Sequence, residues 1–407
     1  MKNIGIFCDG TWQHIDQKNP TNVALLAQAV MSRVGVEGQD VGQFVYYDDG
    51  VGVSEGVLGA GTQLLGGALG KGLDHKITRA YEILSLNYDP GDRVFIFGFS
   101  RGAYTARSLA GLIRWLGILR RQHVGFSEQA MSIYRDRPPK AKDPTQQQKD
   151  LDVFTAKTQA FRAVHSHAAA PFTGAHGYVD GKASSLTPAS DCTWIQYVGV
   201  FDTVGSLGVP SNIPFAAEVN QQYRFYDTSL SAMVRSARHA VSIDERRNTF
   251  QPALWDNIAA LNTNAGADAM SYERRPYQQV WFPGGHGSVG GGSDDGGISL
   301  PALLWIAEGA ARAGFGFEPA VLNALAAKAN PLAAFQPAGF SLGALVIGLD
   351  GASDRPGPDH FDEVSLSACL RAKGMAYAPP PLKRAAAVQA ALATFEKAPD
   401  PQTFYAP

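Results

Sequence analysis

The sequence has few cysteines, no charge bias and no long apolar run. Cys8, Cys192 and Cys369 lie far apart and form no CxxC pair, so neither a disulfide framework nor a zinc site is indicated. The 35 basic and 37 acidic side chains leave a net charge of −2, which offers no electrostatic footprint for nucleic acid. No stretch approaches the roughly 18 apolar residues of a transmembrane helix. We expect no metal, no cofactor and no nucleic-acid partner.

The N-terminus carries no recognisable export signal. Met1-Lys2-Asn3 leads directly into an apolar run that is too short for a signal peptide and soon reaches Asp9. We therefore expect synthesis in the cytoplasm. With 407 residues, 45% hydrophobic and 18% charged, the composition is globular and excludes a disordered or coiled-coil protein. We expect one catalytic domain over 1–407, with an insertion around 121–190 and a helical C-terminal part, 319–407.

Short β-branched or aromatic runs alternate with longer helical patterns along the chain. This alternation predicts an α/β fold with a mainly parallel central sheet flanked by helices and interrupted by helical and loop insertions. The predicted strands are 3–8, 43–47, 93–97, 194–201 and 278–282, the predicted helices are 22–34, 71–88, 101–119 and 298–311, and 137–150 is predicted as a loop.

The junction around Ser100 is the most informative part of the sequence. Gly98, Ser100 and Gly102 form a G-x-S-x-G motif after the apolar strand 93–97 and before a long helical run. A nucleophile elbow needs this context, because glycines on both sides let the strand and helix approach closely. Such turns also bind phosphates or only pack tightly, but the strand and helix around this one favour a serine nucleophile in an α/β-hydrolase-like fold.

A serine hydroxyl needs a histidine base and a carboxylate that orients it. Asp202 and His286 each follow a predicted strand, and with Ser100 they reproduce the chain order Ser, Asp, His of α/β hydrolases. Asp202 is alternatively a turn or helix-cap residue, and His286 a plain loop residue. His239 is the rival base, since the charged cluster 244–247 follows it.

Acyl transfer also requires donors for the developing oxyanion. One is normally the backbone N–H of the residue after the nucleophile, here Arg101. A second is expected from the turn after the first strand, where Gly10 gives backbone freedom and Thr11 adds a hydroxyl. Asp9 belongs to the same turn and either contacts substrate or holds the turn through hydrogen bonds.

At these residues the sequence resembles a bacterial family of α/β hydrolase domains that includes the phospholipase effectors of type VI secretion systems. The longest and most specific matching piece is Gly98-Phe-Ser-Arg-Gly-Ala-Tyr-Thr-Ala-Arg107. The other matching pieces share the family's order, namely 7–12, 19–22, 49–52, 91–92, 199–205, His239, 243–247 and 280–286.

The resemblance implies a Ser100, Asp202 and His286 triad that cleaves carboxyl esters of lipids. It also implies a secretion carrier or adaptor, an immunity protein, transient contact with a membrane surface, and passage into a target cell. One feature departs from the family. After the histidine the family commonly has Ser-Asp-Val-Gly-Gly, whereas 287–291 is Gly-Ser-Val-Gly-Gly, with Asp294-Asp295 as the nearest acids.

The sequence leaves more than one function open. The leading hypothesis is a serine phospholipase that forms an acyl-enzyme. The alternatives are a cytosolic esterase or thioesterase with a small acyl substrate, and a catalytically idle binding module on the same fold. The glycine-rich segment 51–70 is either a lid or membrane-facing flap or, as we favour, a buried helix with loops.

Overall fold

A computed structural model of the chain describes residues 1–10, 13–50, 67–139, 143–167, 178–179, 182–183, 195–205, 229–335 and 351–396. Its strands are β1 Lys2–Cys8, β2 Arg33–Val36, β3 Gln39–Asp48, β4 Arg93–Phe99, β5 Tyr178–Val179, β6 Lys182–Ala183, β7 Ile195–Phe201, β8 Ala237–Ser242 and β9 Tyr277–Phe282. Seven of them form a sheet in the order β2-β3-β1-β4-β7-β8-β9, and β5 pairs with β6. Neighbours in the large sheet are parallel except β2 and β3. The predicted mainly parallel sheet is confirmed.

Helices cover both faces of this sheet. They are α1 Asn22–Gln28, α2 Gly67–Asn87, α3 Arg101–Leu116, α4 Ser127–Arg135, α5 Pro144–His165, α6 Ile258–Asn264, α7 His286–Gly290, α8 Leu300–Arg312, α9 Pro319–Lys328, α10 Leu366–Gly374, α11 Pro380–Lys383 and α12 Ala386–Thr394. One apolar cluster packs α2 to α6 on one face, and a second packs α1, α8 and α9 on the other. A third joins α10 to α12 with β8 and β9. Because both faces are covered, the central strands are apolar throughout.

The carboxyl ends of the parallel strands lie along one edge of the sheet. β1 ends before Asp9, β4 before Ser100, β7 before Asp202, and β9 a few residues before His286. Enzymes with open α/β sheets place their sites in the crevice at this edge. The topology therefore brings the sequence-predicted residues to one side of the molecule.

The helix predicted over 22–34 is wrong in its second half. It ends at Gln28, and residues 33–36 form the edge strand β2, which pairs with β3 through a tight turn. Glu37 and Gly38 form this turn with positive φ values of 49° and 78°. Two consecutive residues with positive φ make the hairpin turn that matches strand twist, so the turn overrides helical spacing.

The loop predicted over 137–150 is also wrong in part, because α5 begins at Pro144. Asp143 caps this helix by accepting the Thr145 N–H at 2.9 Å, and Pro144 occupies the first turn. Strand β8 was not predicted, since Arg238 and His239 interrupt its apolar pattern. Both side chains are nevertheless buried.

Within the described ranges, none of the helices has the length and apolar character required to cross a bilayer. Residues 51–66, for which a lid or a buried helix was considered, lie outside the described residues, and α2 begins at Gly67. The single-domain organisation over 1–407 stays a prediction.

Candidate active site

Ser100 occupies a strained turn between β4 and α3. Its φ of 58° and ψ of −121° lie where side-chain-bearing residues are rarely found. A Cβ atom at Gly98 would lie 2.5 Å from the Gly102 carbonyl oxygen, and one at Gly102 would overlap the Cys8 carbonyl oxygen. The Ser100 N–H donates to the carbonyl of Phe201 in β7 at 3.1 Å. This is the geometry that a nucleophile elbow needs.

Asp202 and His286 meet beside this turn. Asp202 follows β7 with φ 38°, and its N–H donates to the Ala240 carbonyl in β8 at 2.7 Å. Asp202 Oδ2 lies 2.6 Å from His286 Nδ1, and both side chains are buried. A carboxylate on Nδ1 orients the ring and leaves Nε2 as the acceptor of a proton.

Two aromatic rings hold the imidazole of His286. Phe99 packs against it in a tilted arrangement with 4.7 Å between ring centroids, and Phe250 meets it edge-on at 4.8 Å. Phe99 directly precedes Ser100, so the base packs against the residue that carries the nucleophile. Among the described residues no hydrogen bond joins Ser100 Oγ to His286, and catalytic hydrogen bonds of this kind often form fully only when substrate binds.

Arg355 forms an ion pair with both carboxylate oxygens of Asp202. Its Nη1 lies 2.5 Å from Asp202 Oδ1 and its Nη2 lies 3.0 Å from Asp202 Oδ2. Neither side chain is exposed to solvent. Asp202 Oδ1 also accepts the Ser242 N–H at 2.9 Å. Burial would raise the pKa of Asp202, but the Arg355 charge and the His286 hydrogen bond outweigh it and hold that pKa well below its ordinary value.

Asp9 is engaged in internal hydrogen bonds. Its Oδ1 accepts the Gly10 N–H at 2.6 Å, and its Oδ2 accepts the hydroxyls of Thr21 and Tyr47, each at 2.6 Å. Burial raises the pKa of this carboxyl, and the hydrogen bonds from Thr21 and Tyr47 oppose that rise. These bonds match the turn-holding role considered for Asp9.

Two other oxyanion candidates, Gly10 and Arg101, lie next to the nucleophile. A Cβ atom at Gly10 would be 3.5 Å from Ser100 Cβ, so the turn after β1 abuts the elbow. The Gly10 N–H itself points to Asp9, and Thr11 lies outside the described residues. Arg101 begins α3, and its backbone N–H is among the groups at the helix N-terminus that have no helical partner.

Arg101, the residue after the nucleophile, carries a cationic side chain. It is partly buried, and no carboxylate of the described residues pairs with it. Burial lowers the pKa of its guanidinium to about 10, so the group stays charged at neutral pH. An arginine without an ionic partner in this position can bind an anionic group of a substrate.

His239 is buried in β8 and serves the framework. Its Nδ1 faces Gln279 Oε1 at 3.0 Å, and its Nε2 accepts the Thr203 N–H at 3.2 Å. Burial lowers the pKa of His239 to about 3, so the ring is neutral. With both ring nitrogens engaged, His239 is not placed to act as the base for Ser100.

A family model matches most of the chain and identifies its family. The family model for the catalytic domain of the type VI secretion system phospholipase effector, Tle1-like, matches residues 2–309. The chain belongs to this family. The matched stretch contains Ser100, Asp202 and His286.

Individual proteins show more distant similarity. An uncharacterized protein of Saccharomyces cerevisiae is 28% identical over 261 residues, which are 61% of this chain and 32% of that protein. A crystal structure of an uncharacterized protein from Pseudomonas aeruginosa is 17% identical over 79% of this chain and 47% of that one, with a TM-score of 0.40. The Tle1 effector bound to the VgrG spike of the type 6 secretion system is 18% identical over 72% of this chain and 52% of that one, with a TM-score of 0.34. The chain thus spans about a third of the curated relative and about half of each solved chain.

The loop that carries His286 is fixed in this Tle1-like domain by groups from the end of β8. Gly284 donates its N–H to Asp244 Oδ2 at 2.7 Å and accepts the Ser242 hydroxyl at 2.6 Å. The His286 N–H donates to Glu245 Oε2 at 3.2 Å. These bonds fix the loop against the end of β8.

Glu245, which is buried, and Asp295 also stabilise the segments around His286. Burial would raise the pKa of Glu245, but hydrogen bonds and charge from Arg247 outweigh it and lower that pKa. Asp295 accepts the N–H groups of Gly297 and Ser299 at 2.9 and 3.2 Å, so it fixes the turn after α7.

Sequence reasoning missed Glu245 and Arg355. The charged cluster 244–247 was noticed, but it was assigned to His239 because the two are neighbours in sequence. No local pattern pointed to Arg355, a single arginine among glycine and proline. Its partner lies 153 positions away in the chain.

Proposed function

We propose that the chain is a serine hydrolase that cleaves carboxyl esters of glycerophospholipids through Ser100, His286 and Asp202. The observation that carries the proposal is the 2.6 Å contact between Asp202 and His286 beside the strained turn of Ser100. Membership of the Tle1-like family supports the lipid ester as substrate. The unit of activity in this proposal is a single catalytic domain over 1–407.

The first half of the reaction acylates Ser100. His286 Nε2 takes the hydroxyl proton while Ser100 Oγ attacks the ester carbonyl carbon. Asp202, held ionised by Arg355, stabilises the imidazolium and keeps the proton on Nδ1. The tetrahedral intermediate then collapses, the C–O bond to the alcohol breaks, and the leaving lysolipid oxygen takes the proton from His286.

The second half releases the fatty acid. Water gives a proton to His286 as its oxygen attacks the acyl carbon, and collapse of the second intermediate returns that proton to Ser100 Oγ. In both halves the oxyanion accepts the Arg101 backbone N–H at the positive end of α3. The segment after β1, which abuts Ser100 through Gly10, supplies the second donor in this proposal.

The Arg101 side chain supports a phosphate-containing substrate. A partly buried guanidinium without a carboxylate partner among the described residues favours an anion next to the nucleophile. The phosphate of a glycerophospholipid lies only a few bonds from its ester groups. One substrate can therefore contact Arg101 and present its carbonyl to Ser100.

We also propose delivery partners for this chain. The Tle1 effector is seen bound to a VgrG spike. For the present chain we propose synthesis in the cytoplasm, a spike carrier or adaptor for delivery into a target cell, and an immunity protein that covers the site in the producer. Contact with the target membrane surface is transient in this proposal.

The test compares fatty-acid release from phosphatidylglycerol vesicles and from a short p-nitrophenyl ester, for the wild type and for Ser100→Ala. Vesicle hydrolysis that Ser100→Ala abolishes supports the proposal. Hydrolysis of the soluble ester alone selects the esterase or thioesterase. A fluorophosphonate that fails to label Ser100, together with no turnover of either ester, selects the idle binding module.

A further inference from the structure

Arg355 comes from a part of the chain that the family match does not cover. The match ends at residue 309, inside α8, whereas Arg355 lies in the short segment 351–355. Its guanidinium is completely buried and contacts the carboxylate that orients His286. A residue outside the matched region therefore reaches the centre of the candidate site.

The segment 351–355 is tied to the loop after β8. Ser353 and Arg246 share a backbone hydrogen bond of 2.9 Å, and Asn248 donates its N–H to the Gly351 carbonyl at 3.0 Å. Arg246 Nε also pairs with Asp354 Oδ1 at 3.0 Å. Segment 351–355 thus lies antiparallel to 246–248. This arrangement places Arg355 against Asp202 at the end of β7.

Arg355 makes two further hydrogen bonds, both to backbone carbonyls. Nη1 donates to the Ser242 carbonyl at 3.1 Å, and Nη2 donates to the Phe250 carbonyl at 2.6 Å. The guanidinium therefore fastens Asp202 to the end of β8 and to the residue whose ring packs on His286. A flat fork with several donors can make these bonds together, whereas an ammonium group presents one compact charge.

We infer that Arg355 is a positioning residue of the hydrolytic site and that it keeps Asp202 ionised and directed at His286. Through Arg355, the C-terminal part of the chain completes the site. This inference rests on the proposed function. A carboxylate that is fully out of water is costly unless it is paired and hydrogen-bonded. Arg355 and the Ser242 N–H meet that need and leave Asp202 Oδ2 able to accept from His286 Nδ1.

The ionisable groups around Asp202 determine the direction in which loss of Arg355 should shift the pH dependence. Arg355 and His286 contact it directly, the neutral His239 lies close by in β8, and Glu245 lies behind His286. Arg355 is the permanent cation of this group. Its removal makes the Asp202–His286 pair bind a proton more tightly, so the pair stays protonated to higher pH.

The experiment measures the pH dependence of kcat/KM for the full chain and for Arg355→Met and Arg355→Lys. In Arg355→Met we expect the acidic limb to move to higher pH by roughly one to three units, since an adjacent charge shifts a pKa by that amount. Arg355→Lys keeps the charge but loses the fork, so its limb stays near the wild-type position while kcat falls. Wild-type profiles in both variants would overturn the inference.

The matched control is Arg371→Met. Arg371 is another buried arginine of the C-terminal part, and it donates to the carbonyls of Pro331 and Ala333 without touching the triad. It should lower the melting temperature but leave the acidic limb in place. If Arg355→Met lowers the melting temperature and leaves the limb unmoved as well, Arg355 is only structural and the inference fails.

Arg355→Lys and a double-mutant cycle with Asp202→Asn give two further tests of the inference. If Arg355→Met does not fold, Arg355→Lys decides, and an unchanged kcat in that variant overturns the inference. In an Asp202→Asn background, replacement of Arg355 should cause little further loss of kcat, whereas fully additive losses show that Arg355 does not act through Asp202. A wild type without hydrolysis or Ser100 labelling contradicts the proposed function instead, whatever the Arg355 variants do.

Discussion

Phe99 packs against His286 with 4.7 Å between ring centroids and 32° between ring planes, and Ser100 is the next residue in the chain. One aromatic contact thus links the proposed base to the proposed nucleophile. Gly290 lies against the Phe99 ring, where a Cβ atom would overlap the ring atoms. The position of His286 relative to Ser100 therefore depends on the absence of a side chain at position 290.

Replacement of Gly290 by alanine should displace Phe99 and lower kcat. We expect a stability loss of roughly 1–3 kcal/mol, the usual range for overpacking. Gly287→Ala is the control in the same helix, because the nearest atom to its added Cβ is 3.9 Å away. Ester hydrolysis and thermal unfolding of both variants check this, and equal kcat values would contradict it.

Asp202→Asn should reduce kcat by about 10⁴-fold, as loss of the orienting carboxylate does in serine hydrolases. The amide no longer imposes the tautomer with the proton on Nδ1 of His286. Steady-state hydrolysis at the optimum pH measures the loss. A variant with more than a tenth of the wild-type kcat would remove Asp202 from the mechanism.

The same variant tests the ionisation of Asp202 in the folded protein. Its folded pKa is below its unfolded value of about 4, so its contribution to stability is present above that value and is lost as pH falls through the folded pKa. The difference in unfolding free energy between the wild type and Asp202→Asn should be constant near neutral pH and should shrink below about pH 4. Denaturant unfolding across this range measures it, and a difference that grows toward acid pH is the contrary result.

His239→Gln should keep hydrolysis, whereas His286→Gln should abolish it. The pKa of His239 is about 3 in the folded protein, and an unfolded histidine titrates near 6.5. The unfolded state therefore binds the extra proton between these values, and the wild type loses stability as pH falls from about 6.5 toward 3. His239→Gln should flatten this part of the stability profile, which parallel unfolding and activity assays can establish.

Arg101→Met should weaken turnover of anionic phospholipid vesicles by about tenfold or more, the expected effect of losing a charge-assisted hydrogen bond. Turnover of a short uncharged ester should change much less, because that substrate has no phosphate. The control is Arg121→Met, an exposed arginine that pairs with Asp89. Equal losses on the two substrates would mean that Arg101 supports the elbow and does not bind the head group.

The candidate site was predictable where chemistry coincides with strand ends. Ser100, Asp202 and His286 each follow an apolar strand, and parallel strands bring such residues to one edge. The residues that support the site were not predicted, because their roles depend on partners far away in the sequence. Arg355 contacts Asp202 across 153 positions, and the contact between Glu245 and His286 spans 41.

The elements that sequence patterns mispredicted have different physical causes. The turn at Glu37-Gly38 overrides the helical spacing of 22–34, and the cap at Asp143 starts a helix inside a polar, proline-containing stretch. Strand β8 depends instead on tertiary partners. Arg238 is buried there because Glu308 neutralises it, and His239 because Gln279 and Thr203 bond to it.

The sequence by itself determined the α/β class, the elbow at Ser100 and the order of the other two triad candidates, because apolar runs, glycine spacing and strand ends are local properties of the chain. Only the tertiary structure decided that His286 rather than His239 meets Asp202, and that Arg355 pairs with that carboxylate. Those choices depend on burial and charge. Both are set by which distant segments fold together, and no local pattern encodes that.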